Sequence, residues 1–94
     1  RSQLDDVSAQ LKQAESDLVL AKERLERYLK LNGSSISPQE TELRRHQLDT
    51  SATQLEAAKA ALAVARTTAE TSAERARVQV AQAEKKLAAA TLSA

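Results

Sequence analysis

Cysteine, phenylalanine, tryptophan and methionine are missing from this chain of 94 residues, and tyrosine, histidine, glycine and proline occur once each. Without cysteine there is no disulfide and no thiolate metal site, an absence compatible with any compartment. With a single aromatic ring, and with alanine supplying much of the 41% apolar content, there is too little bulky side-chain volume to fill a globular core. No run reaches the roughly 20 apolar residues that cross a bilayer as a helix. Neither sign of charge dominates. Fourteen basic and 13 acidic residues are interspersed to a formal net charge of +1, which lacks the polyelectrolyte character of a nucleic-acid or membrane-surface binder. Even the basic group Arg24, Arg27, Lys30, Arg44 and Arg45 is interrupted by Glu23, Glu26, Glu40 and Glu42. The chain starts at Arg1 with neither an initiator methionine nor a signal sequence, and is expected to be a piece of a larger protein.

What the chain does have is Ala, Leu, Glu, Gln, Lys and Arg, the strongest helix formers. An all-α, extended object follows. In the first segment the apolar positions Leu4, Val7, Leu11, Ala14, Leu18, Ala21, Leu25 and Tyr28 are separated alternately by three and four residues. That is a heptad, with leucine at one core position and mostly a smaller residue at the other, as a narrow coiled-coil seam requires. Val19, Leu20, Leu29 and Leu31 lie outside this stripe.

The lone Gly and the lone Pro fall close together, in Asn32-Gly33-Ser34-Ser35-Ile36-Ser37-Pro38. Gly33 can take the left-handed conformation that ends a helix. Ser37-Pro38-Gln39-Glu40 reads as an N-cap, a proline at the first helical position and a capping-box glutamate. A loop of about six residues joins antiparallel neighbours, because a parallel return would need a connection as long as the helix. The expected fold is therefore an antiparallel two-helix coiled-coil hairpin, with a first helix over 1–31, a tip turn over 32–37 and a second helix over 38–92.

The second seam is read at Leu48, Ala52, Leu55, Ala58, Leu62, Ala65 and Ala69, then Ala73, Ala76, Val80, Ala83, Leu87 and Ala90. The interval from Leu62 to Ala73 acts as a stutter, and a nearly straight pair of helices is expected there. The arms are unequal, about 30 and 55 residues or ~45 and ~82 Å. Pairing about the turn sets Leu4 opposite Leu62 or Ala65 and leaves the stripe from Ala73 to Ala90 without a partner. Either preceding sequence or another chain is expected to cover it.

Chemistry-bearing residues are few. His46 with Glu42 one turn before it could supply two metal ligands, and no third is arranged with them. No nucleophile and base are set together and no glycine-rich phosphate loop is present, so neither catalysis nor a cofactor is expected. Glu23 with Arg27, Glu26 with Lys30 and Glu40 with Arg44 stand at the favourable helical spacing, and such pairs contribute only ~0.2–0.5 kcal/mol each on a solvated face. The turn is different, because Tyr28, Leu29, Leu31 and Ile36 gather apolar groups at the free end of the arm. They either close the end of the coiled coil or dock a partner.

The segment from Arg27 to Glu40 resembles the hairpin tip of periplasmic adaptor proteins, the membrane fusion proteins of tripartite efflux pumps and type I secretion systems. Arg27, Leu31, Gly33, Ile36, Ser37, Gln39 and Glu40 match that family's tip pattern in kind, although the interval from Arg27 to Ser37 is one residue shorter than usual. Lys86 to Ala94 resembles the family's exit toward a lipoyl domain, with 93–94 as the exit itself. The resemblance implies a periplasmic hairpin on an inner-membrane-anchored adaptor, its tip meeting a TolC-like outer-membrane channel and its absent domains meeting an inner-membrane transporter. It also implies assembly of six copies and, from the long arms, an ABC-type exporter as in the MacA-like and DevB-like groups. Arg27, Leu31 and Ser37 would be the channel-binding residues, with Gly33, Pro38 and Glu40 shaping the turn. The competing reading is a generic coiled-coil spacer or homodimerisation arm.

Overall fold

The computed structural model describes residues 3–93. Helix α1 spans Gln3–Asn32, a single 3-10 turn follows at Gly33–Ser35, and helix α2 spans Pro38–Ser93. The two helices run antiparallel and pack on each other. The molecule measures 90 × 15 × 14 Å, close to the ~84 Å expected of the 56 residues of α2 alone at 1.5 Å each. Its radius of gyration of 24.9 Å is almost double the ~13 Å of a compact domain this size. Scarcity of bulky side chains thus leads directly to shape: what apolar surface there is can be covered by one facing helix, and nowhere else.

All eight seam positions of α1 are buried or half-buried, with Val7, Ala14 and Ala21 the most covered. Val7 packs with Leu62 and Ala65, and Leu4 and Leu11 lean on that cluster. The expected register is therefore the observed one at this end. Continued toward the turn, it sets Leu11 level with Ala58, Ala14 with Leu55, and Ala21 with Leu48. A leucine on one helix meets an alanine on the other, which lets the backbones approach while each layer keeps a similar volume.

The seam of α2 differs from the expected one toward the tip. A strict heptad counted back from Ala65 passes through Leu62, Ala58, Leu55, Ser51, Leu48, Arg44 and Thr41, and all of these are buried or half-buried. Ala52 shares its level with Ser51, both being half-buried. The last two layers before the turn are thus polar on the α2 side.

Beyond Ala65, every residue from Arg66 to Leu92 is exposed. The first described residues of α1 lie beside Leu62 and Ala65, so α2 continues past them. The stripe from Ala73 to Ala90 lies open as expected, and Ala69, counted within the seam, lies open with it. No helix pair exists across Ala69 and Ala73, so the straight pair expected at the stutter is not formed by the described residues. Alanine-rich sequence and local ties support this overhang: Arg77 pairs with Glu74 at 3.0 Å, and the Thr67 and Thr91 hydroxyls donate to carbonyls one turn back. Of the expected exit at 93–94, Ser93 is still helical and Ala94 lies outside the described residues, as do Arg1 and Ser2.

Candidate functional site

The tip is built by two helix ends. α1 stops where Gly33 takes φ +47°, in the left-handed region that costs glycine nothing. The Asn32 side-chain amide turns back and donates to the Tyr28 carbonyl at 2.8 Å, so the final turn is tied by a side chain as well as by the backbone. α2 starts at Pro38, whose missing N–H falls where a helix has no acceptor for it. Ser37 is its cap: the hydroxyl oxygen accepts from the Glu40 N–H at 3.3 Å, and its carbonyl accepts from the Thr41 N–H at 3.0 Å.

Only half of the expected capping box forms. The Ser37 N–H that Glu40 would have taken donates instead to the Tyr28 hydroxyl at 2.9 Å. The Glu40 carboxylate pairs with Arg44 at 2.9 Å. An ionic partner one turn along the same face is a stronger attraction for a carboxylate than a neutral amide, and the phenol arrives from the opposing helix to replace it.

Thr41, and the place of Arg44 in the seam beyond its pair with Glu40, are what the sequence alone did not disclose at the tip. The Arg44 guanidinium carbon lies 4.8 Å from the centre of the Tyr28 ring, within cation–π range. The Arg44 Nε and the Thr41 hydroxyl are buried without hydrogen-bond partners. The available signal was positional: counting the heptad back from Leu48 lands on both residues, but a search for apolar side chains passes over them.

Around this tied interior the remaining groups face outward. Leu31 is 77% exposed, Leu29 and Ile36 each just over a third, and Arg27 is exposed. Of the three expected ion pairs only Glu40 with Arg44 closes among the described residues, which leaves the Arg27 guanidinium free for an outside acceptor. The structure therefore brings Arg27, Leu31 and Ser37 to one end of the rod, on both sides of the turn. Leu31 does not close the coil. His46 lines an open groove with Asp17, Arg24 and Thr50, and no three His, Asp or Glu side chains are grouped as a metal ion would need among the described residues. No helix among them is long and apolar enough to cross a membrane.

The comparisons with known proteins bear on this arrangement. The family described as the RND MFP alpha-helical hairpin domain matches residues 3–72, which takes in α1, the turn and the whole paired part of α2. No curated protein and no solved structure matches the chain. Adaptors of this family are periplasmic, inner-membrane-anchored and non-catalytic, and associate with an outer-membrane channel and an inner-membrane transporter. With the matched residues taking in the whole paired hairpin, the chain belongs to the membrane fusion protein family, as the alpha-helical hairpin of an adaptor in tripartite efflux.

Proposed function

We propose that the hairpin spaces and docks: its turn seats on the periplasmic end of a TolC-like outer-membrane channel, while domains beyond this chain engage the transporter. The observation that carries this reading is Leu31, a leucine 77% exposed on a turn whose interior is tied by side-chain bonds. Leaving such a side chain in water forfeits ~1.5–3 kcal/mol that burial would recover, and a partner's shallow groove supplies that burial. Arg27 donates from its free guanidinium to carbonyls or carboxylates at the channel tip. Ser37, whose oxygen already accepts within the cap, still has its hydroxyl proton to donate. Several copies, six in the family's usual arrangement, act together, so a weak single contact becomes a firm one. For the transporter, the description of the matched family favours the RND class over the ABC-type exporter that the long arms suggest.

The test is binding of the adaptor to a purified channel of this type. Replacing Arg27 by Ala together with Leu31 by Ser is expected to weaken binding at least tenfold, about 1.4 kcal/mol, with helicity and Tm unchanged because both side chains are exposed. Unchanged affinity would sink the proposal.

A second reading, a spacer or homodimerisation arm with no dedicated partner at its tip, is favoured by the uncovered stripe from Ala69 to Ala90. It requires association of copies along that stripe, read by sedimentation, that is indifferent to substitution at the tip.

A further inference from the structure

The three docking groups come from both sides of the turn, Arg27 and Leu31 from α1 and Ser37 from the start of α2. A partner that reads them together needs their relative positions fixed. Among the described residues, one hydrogen bond crosses the turn outside the helices, from the Ser37 N–H to the Tyr28 hydroxyl at 2.9 Å. The phenol that accepts it is held from behind. Arg44 lies over its ring at 4.8 Å and is itself anchored by Glu40 at 2.9 Å, in the same first turn of α2 that Ser37 caps.

Glu40, Arg44, Tyr28 and Ser37 thus form a closed circuit from α2 to α1, across the turn and back to α2. Arg44 occupies a seam position, level with Leu25, where an apolar residue would pack without difficulty. Its Nε is buried with no partner, a cost that leucine at the same place would not carry. Coil packing alone therefore does not account for an arginine there, whereas a clamp on the tyrosine does.

We propose that Tyr28 and Arg44 are positioning residues for channel docking, a clamp that fixes Ser37 relative to Arg27 and Leu31 without itself touching the partner. The inference rests on the docking role proposed above and deepens it. The clamp acts through geometry, so its loss shows as weakened docking without weakened folding.

The test uses the whole adaptor and four variants, Tyr28→Phe, Arg44→Leu, Arg44→Lys and Leu31→Ser, with channel affinity, Tm and the amide exchange rate of Ser37 as readouts. Tyr28→Phe removes only the hydroxyl and is expected to speed Ser37 exchange about tenfold, to weaken channel binding severalfold, and to leave Tm in place. Arg44→Leu is expected to hold or raise Tm while also weakening binding, a split that a merely structural role does not produce. Arg44→Lys, which retains the pair with Glu40 but not the planar group over the ring, should recover part of the affinity. If Leu31→Ser weakens binding while Tyr28→Phe and Arg44→Leu do not, the clamp is overturned and docking stands. If affinity merely follows Tm across the series, the clamp is again overturned. If Leu31→Ser leaves affinity unchanged, the docking role falls and this inference with it.

Discussion

At the scale of single residues, the turn depends on backbone shape and on few atoms. A methyl group placed on Gly33 would meet nothing within 4 Å, yet the residue sits at φ +47°, so any penalty for a larger side chain is conformational rather than steric. Gly33→Ala is expected to destabilise the hairpin by about 1 kcal/mol, read as a lower urea midpoint, and Gly33→Asn by less, since asparagine tolerates that region better. Ser37→Ala removes the acceptor for the Glu40 N–H and should cost about 1 kcal/mol. The Ser37 backbone bond to Tyr28 survives that change. A docking deficit in Ser37→Ala is therefore informative only after its effect on stability has been subtracted.

At the scale of elements, α2 provides its own internal control. Leu62 and Leu87 lie on the same helix and nearly the same face of it, one 8% and the other 69% exposed. Leu62→Ala should cost about 2 kcal/mol, the low end for a buried leucine because only one facing helix surrounds it. Leu87→Ala should change stability by less than about 0.5 kcal/mol, and chemical denaturation of the two variants side by side checks both. The same two leucines mark how much of the fold was legible beforehand. The seam of α1 could be read in full because every one of its positions is apolar, and the point where pairing stops followed from counting back from the turn. The tip end of α2 was not legible in the same way. Ser51, Arg44 and Thr41 occupy seam positions but are polar, and hydrophobic periodicity is blind to polar residues that are buried by their neighbours. Glu40 was misread for a related reason: the capping-box pattern is local, whereas the outcome was decided by Tyr28 reaching across from α1. Arg27 and Leu31 lie at the free end because the chain turns at Gly33, and their exposure depends only on where it turns.

At the scale of the whole molecule, cohesion is distributed unevenly along 90 Å. Residues 41–65 of α2 are covered by α1, while residues 66–92 have, among the described residues, only their own helical bonds and exposed pairs such as Arg77 with Glu74. Helix in that stretch is propagated from the paired part and lacks the tertiary packing from which most helical stability in proteins comes. Amide hydrogen exchange should therefore divide α2 in two, with protection in 41–65 approaching that of global unfolding and in 66–92 far lower. Uniform protection along α2 would mean that something covers the stripe in solution. The opposite end of the rod offers an experimental convenience. Tyr28 is the sole aromatic side chain, so near-ultraviolet absorption and intrinsic fluorescence originate entirely at the turn. A ligand without aromatic groups that settles on that end and alters the ring's surroundings can be followed optically on this unlabelled chain, the rest of which is dark.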